Sequence, residues 1–198
     1  MADETTICNL ALGMLGQNAI MSLDDASQAA RFCKQFYTHT RDAVLQTAQW
    51  NFAIKRASLS RLADAPISGW QYQYQLPTDH LRVIELNGAD VSARFGEFSI
   101  EGNRLLTDDD GAVIRYISRV EDANLFDALF IETLATKLAS KLAKPLTGNA
   151  QEAQALTTEL VRLSGPAARR ADAVEGKPKP ILPFMNSPLV SSRGSGSL

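Results

Sequence analysis

In WQYQYQL, residues 70–76, Trp70, Tyr72, Tyr74 and Leu76 alternate strictly with Gln71, Gln73 and Gln75. A two-residue period puts the apolar side chains on one face and the glutamines on the other, the pattern of a half-buried strand. Such a strand needs partners, and residues 77–118 offer them. Pro77 and Asp79 make a turn, and LRVIEL follows at strand period. Short pieces over 90–94, 97–101, 104–107 and 112–118 are set off by Asn87-Gly88, Gly96, Gly102-Asn103 and Gly111. The middle of the chain is expected to fold as antiparallel sheet.

Both flanks run at helical period instead. Residues 3–16 place Ile7, Leu10, Ala11, Met14 and Leu15 on one face, with Gly16 as a stop. Ile20 and Leu23 anchor a connector. Ser22, Asp24 and Asp25 are cap candidates for a second helix running to about residue 50. Its apolar face reads Ala29, Phe32, Cys33, Phe36, Tyr37, Thr40, Val44 and Ala48. From about residue 124, Phe126, Leu129, Phe130, Leu134, Leu138 and Leu142 form a wide stripe that Pro145 ends. A fourth helix spans 148–163, and Gly165-Pro166 breaks or kinks it before AARRADAV resumes.

The expected fold class is α+β: a four-helix bundle with an inserted small antiparallel β-sheet domain and an extended C-terminal arm. Residues 1–50 and 121–174 supply the bundle, 51–120 the sheet domain, and 175–198 the arm. A chain of 198 residues, 45% of them hydrophobic, suffices for one such core.

The arm, EGKPKPILPFMNSPLVSSRGSGSL, holds four of the eight prolines, which forbid a regular helix and favour extended backbone. Yet it carries Ile181, Leu182, Phe184, Met185, Leu189 and Val190. An apolar extended segment calls for a surface to lie on, and Lys177 and Lys179 are suited to steering it toward an acidic one. Lys177, Lys179, Ile181, Leu182, Phe184, Met185 and Leu189 are the expected docking elements. The stretch QWNFAIKRASL, residues 49–59, raises a second expectation. It passes from helix to strand through Trp50, Asn51 and Phe52, so Trp50, Phe52 and Trp70 are expected to fill a joint between helices and sheet.

Signals for chemistry are weak. The net charge of −2 and pI of 5.7 leave no basic footprint for tight nucleic-acid binding. Aromatic residues without interleaved Lys or Arg read as core before base-stacking platforms. Arg169-Arg170 and Lys177–Lys179 read as solvated positions, with contact to an acidic neighbour as the alternative. His39 and His80 lack ligands at metal-binding spacing, and LGMLGQ lacks the glycine spacing and lysine of a phosphate loop. Asp108, Asp109 and Asp110 before Gly111 read as an exposed turn, because the later positions of a calcium loop are missing. No cofactor is expected. Cys8 and Cys33 read as small buried hydrophobes in a reducing compartment, with a disulfide as the alternative. MADETTICNL lacks the basic start of a signal peptide, and no apolar run reaches the ~20 residues of a membrane span. A soluble protein made inside the cell is expected. One catalytic reading stays open: a glycan or peptidoglycan hydrolase using a carboxylate pair, for which Glu97, Glu101, Asp108 and Glu132 are the residues to test.

Several segments together resemble the tail tubular protein A family of short-tailed phages. They are CNLALGMLG (8–16), IMSLDD (20–25), the Ala30–Cys33–Tyr37 spacing, RDAVL (41–45), QWNFAIKRASL (49–59), WQYQYQLPTDHLRV (70–83), LFDALFIETLATKLASKLAKPLT (125–147) and ARRADA (168–173). The resemblance covers about residues 5–175 and includes no catalytic motif. Gly165-Pro166 departs from the continuous last helix of that family. What the resemblance implies is a non-enzymatic head-to-tail adaptor, a homo-oligomer of dodecameric ring form. It would dock beneath the portal protein and above a tail nozzle of the tail tubular protein B kind. Genome DNA would pass through the lumen without specific binding, and no membrane would be involved. The implied location is the head–tail interface of the virion, after assembly in the host cytoplasm. In that setting the arm is expected to lie across a neighbouring subunit or the portal rim.

Overall fold

A computed structural model describes residues 3–94 and 96–163. Among these, four α-helices flank seven strands. The helices are α1 (Glu4–Met14), α2 (Gln28–Leu45), α3 (Ala128–Thr147) and α4 (Ala150–Leu163). The strands are β1 (Ile54–Ser58), β2 (Tyr72–Gln75), β3 (His80–Leu86), β4 (Ala89–Asp90), β5 (Phe98–Glu101), β6 (Arg104–Thr107) and β7 (Val113–Ser118). They form two antiparallel sheets, ordered β1-β7-β3-β4 and β2-β6-β5.

Side-chain chemistry sets the helix ends. Asp3 caps α1 by accepting from Thr6 N at 2.6 Å. At the other end Gly16 takes φ +63°, and Gln17 N donates to Leu12 O while Gly16 N donates to Gly13 O, closing a Schellman motif. The cap of α2 is Ser27, which accepts from Ala30 N, and not the expected Ser22, Asp24 or Asp25. Asp25 is occupied instead with Met21 N and Ser22 N in the preceding turn. α2 also stops at Leu45, short of residue 50, because Thr47 N and its hydroxyl both turn back onto Val44 O. Pro145 does not end α3. It sits in the last turn, where one missing N–H frees only a carbonyl near the end, and Gly148 at φ +70° makes the stop. The stretch 90–94 is a strand only to Asp90. Asp90 then accepts from Ser92 N and starts a 3-10 turn, Val91–Arg94.

The expectation of a four-helix bundle with a small inserted sheet domain is overturned. α3 is a hub against which α1, α2 and α4 each pack, while α4 builds no comparable contact with α1 or α2. The reason lies in its composition. Besides the Phe130–Leu134–Leu138–Leu142 side, α3 buries Ala135, Ala139 and Ala143 at four-residue spacing, and Thr133 and Thr136 as well. Small side chains let neighbours approach on more than one side, so the helix is buried well beyond one stripe.

Nor is the sheet region a small appendage. The central strands of the β1-β7-β3-β4 sheet, β7 and β3, are covered on both faces, whereas its edge strands β1 and β4 bury no residue fully. Ile84 and Ile117 face the helices and join their core, which runs through Ile7, Tyr37, Trp50 and Phe130. Val83, Leu86, Ile114 and Tyr116 face the second sheet and enclose another core with Tyr74, Leu76 and Leu105. The order is helices, first sheet, second sheet, with one sheet shared by two hydrophobic cores. A register shift between Val83 and Glu85 in the β3–β7 pairing puts Val83 and Leu86, three residues apart, on the same face of the sheet, while Ile84 serves the helix core.

Candidate functional site

The β1–β7 pairing creates the junction between the helix layer and the sheets. Ile54 lies opposite Ile117 and Ser58 opposite Val113, so the chain enters and leaves the sheet on neighbouring strands. Residues 50–53 and 119–126 are thereby brought together, and Ser118 Oγ donates to Ala53 O at 2.9 Å across the gap.

Into this gap the sequence delivers four aromatic rings. Trp50 is 4% exposed, and its indole Nε1 donates to Val44 O at 3.1 Å. Its ring meets Phe130 edge-on at 5.2 Å, and Phe52 meets Phe130 edge-on at 5.1 Å. Phe126 closes the cluster, 5.6 Å from Phe52 and 4.6 Å from Phe130. Edge-to-face pairs of this kind add about 0.5–1.5 kcal/mol beyond the area they bury. Phe126 and Phe130 were legible as helix-stripe residues but not as joint residues. Phe126 actually precedes α3, whose cap is Asp127, accepting from Phe130 N.

Polar contacts brace the same junction. Arg41 on α2 is 2% exposed and reaches Asp42 at 3.0 Å and Glu121 at 3.5 Å, while Arg119 pairs with Asp42 at 2.8 Å. Arg115 on β7 pairs with Glu85 at 2.7 Å and donates to Gln49 Oε1, beside Trp50. A buried arginine inside the helical run RDAVL carries no marker in sequence that separates it from a surface one.

Trp70 stands apart from Trp50 and Phe52. It precedes β2 and lines a cleft on the outer face of the second sheet, half-buried, with Pro66, Ile67, Glu101, Arg104 and Leu106. The alternation expected for 70–76 holds for Tyr72, Tyr74 and Leu76, which share the core between the sheets, and fails at Trp70, and the glutamine face is not simply solvated. Gln73 is 5% exposed, donating to Asp64 O at 2.7 Å and accepting from Arg104 at 3.1 Å. The loop over 63–71 covers it.

Asp108, Asp109 and Asp110 tie down separate segments. Asp108 accepts from Gln71 N at 2.8 Å, Asp109 from Arg94 Nη1 at 2.8 Å and Asn87 Nδ2 at 2.7 Å, and Asp110 pairs with Arg61 at 3.4 Å. Arg94 holds the Asp109 carboxyl below the usual carboxylate range, with Asn87 assisting against burial. Burial alone would raise Asp79, but hydrogen bonds from Lys55 and Tyr116 outweigh it and bring it down. Tyr116 is pushed up to about 12 by burial and by that bond. Among the residues named for hydrolysis, Glu97 is ion-paired to Arg94 at 2.7 Å and Asp108 is bound to backbone. Glu101 lies in the Trp70 cleft, and Glu132 lies on α3.

Cys8 and Cys33 are buried free thiols on α1 and α2. Among the described residues no cluster of three metal-binding side chains occurs, and no helix is long and apolar enough to cross a membrane. Lys177, Lys179, Ile181, Leu182, Phe184, Met185 and Leu189, with Gly165-Pro166, lie outside the described residues. No family model matches the chain, and no curated protein matches it.

Proposed function

We propose that this chain is the repeating subunit of a ring-shaped head-to-tail adaptor of a short-tailed phage, set between portal protein and tail nozzle. The observation that carries the reading is a coincidence of segments. QWNFAIKRASL and LFDALFIETLATKLASKLAKPLT, which bear much of the resemblance, are the segments that supply Trp50, Phe52, Phe126 and Phe130 to one aromatic joint. A closed ring repeats each subunit's geometry around its circumference, so a hinge error in one subunit is multiplied by their number. A packed aromatic joint between the helix layer and the sheets suits that demand. The net charge of −2 suits a channel for DNA, because each phosphate contact by Lys or Arg adds affinity through counterion release and would slow passage.

The test is electron microscopy of the purified chain mixed with the portal protein of the same virus. Rings seated coaxially on the portal are the expected result. Bare portals beside free monomer would refute the proposal. Glycan cleavage by the purified chain, lost on replacement of one carboxylate, would replace it with the hydrolase reading.

A further inference from the structure

The cleft on the outer face of β2, β6 and β5 has a volume of about 680 Å³. Buried Leu106 and Gln73 line it together with half-buried Trp70 and Pro66. Beside them the Ile67 side chain is fully exposed, at 106% of its reference area. At the hairpin end are Glu101 and Arg104. Among the described residues no ion pair engages Glu101, whose carboxylate accepts a 3.4 Å hydrogen bond from Ser99 Oγ. An aromatic ring, a proline and a bare isoleucine beside an unpaired acid make a surface without a described occupant.

We propose that this cleft receives residues 177–185, KPKPILPFM, of a second copy of the chain. The proposal deepens the ring reading and rests on it, since it names what joins neighbouring subunits. Three properties of the segment match the cleft. Pro178, Pro180 and Pro183 favour a polyproline II backbone, the form that aromatic-lined grooves accept, and they lower the entropy lost on docking. That helix repeats every three residues, so Pro178, Ile181 and Phe184 share one edge and can lie along Trp70, Pro66 and Ile67. Its carbonyls have no internal partners, and the Arg104 guanidinium, which spends one N–H on Gln73, has others to donate. Lys177 and Lys179 supply the charge that Glu101 lacks.

The occupant comes from a second copy because of the layer order. The arm follows α4, which belongs to the helix layer, whereas the cleft lies on the far side of both sheets. An arm of the same chain would have to pass the depth of both sheets to reach it; a neighbour's arm need not.

The test mixes two full-length variants, Ser68→Cys and an affinity-tagged Lys179→Cys, under mild oxidation with and without portal protein. The native Cys8 and Cys33 are fully buried and do not compete. A mixed disulfide dimer is expected. Its yield should fall about two- to fivefold with Glu101→Lys, the loss of one exposed ion pair, and return when Lys177→Glu and Lys179→Glu are paired with it in an Ile67→Cys and Met185→Cys version of the experiment. A doubly substituted chain, Ser68→Cys with Lys179→Cys, that closes on itself at high dilution would show capture within one chain and overturn the proposal. Absence of any cross-link from both cysteine pairs, in chains with the parent circular dichroism, would overturn it too. The two readings fail separately. Rings on the portal without cross-links refute the cleft assignment alone, and cross-links without rings refute the adaptor reading.

Discussion

Replacing Trp50 tests whether the aromatic joint carries stability in the free chain. The indole is 4% exposed, so truncation to Ala removes a fully packed ring, at a cost of about 3–5 kcal/mol. The lost hydrogen bond adds little. Val44 O also accepts from Thr47 N at 3.0 Å and from Thr47 Oγ1 at 2.6 Å, so it is not orphaned. A loss near ~4 kcal/mol is a large share of the ~5–15 kcal/mol that a domain possesses, so Trp50→Ala is expected to be marginally folded. Trp50→Phe is the more informative variant. It keeps a ring against Phe130 and gives up the Nε1 donor and part of the volume, for about 1–2 kcal/mol. Urea unfolding followed by far-ultraviolet circular dichroism reads both. A cycle with Phe130→Leu should show coupling of about 0.5–1.5 kcal/mol, as for an edge-to-face pair. If Trp50→Ala and Trp50→Phe both unfold within ~0.5 kcal/mol of the parent, Trp50 is not buried in the free chain and the joint carries no stability there.

Three further outcomes are expected. The Tyr37 hydroxyl is buried without a partner among the described residues, and burial pushes its ionisation upward. Tyr37→Phe should therefore leave stability unchanged or raise it by up to ~1 kcal/mol; a clear loss in a thermal melt would mean that the hydroxyl has a partner. Asp109 is depressed by Arg94, so the stability it contributes is full above its unfolded value near pH ~4 and disappears as pH falls through the lower folded value. Asp109→Asn should flatten that acid limb of the stability curve, and an unchanged slope between pH ~2 and ~4 would contradict the Arg94 pairing. Cys8 is held above the usual thiol range by its hydrogen bond to Cys33 and by burial. Both thiols should react with a thiol reagent only at the rate of unfolding, and fast labelling of the native chain would refute their burial.

How much of this was legible in the sequence depended on which force set each feature. Strand and helix periods reflect the side on which a residue is buried, so β1, β2, β3, β5, β6 and β7 and all four helices were readable in kind. Ends were less so. Ser22, Asp24, Asp25 and Ser27 all have capping side chains, and only the hydrogen bonds of the Met21–Asp25 turn select Ser27. The layer order was not readable. A sheet buried on both faces calls for apolar runs, but β3 and β7 interleave Arg82, Glu85 and Arg115 with their apolar residues, and Arg115 pairs with Glu85 across the ladder. The second face of α3 was missed because Ala135, Ala139 and Ala143 contribute little to a hydrophobic stripe, yet they allow the close approach that makes α3 a hub. Trp70 was grouped with Trp50 on residue type, and only the fold separates a cleft aromatic from a joint aromatic.

The shared sheet has a mechanical consequence. Helices and second sheet touch opposite faces of β3 and β7, so displacing one core relative to the other requires bending those strands or breaking their pairing. The bulge between Val83 and Glu85 is the point where the ladder is least regular, and it lies where Val83 and Ile84 turn to opposite cores. Bending would concentrate there, were it not braced by Glu85–Arg115 on one side and by Tyr116 on the other, its hydroxyl donating to Asp79 at 3.1 Å. Arg115 continues the brace to Gln49, next to the aromatic joint. The joint and the bulge are therefore one connected structure, and in the proposed ring a load applied at the outer cleft would reach the helix layer through it. Substitution of Glu85 should accordingly loosen amide protection at residues 50–53 as well as within β3.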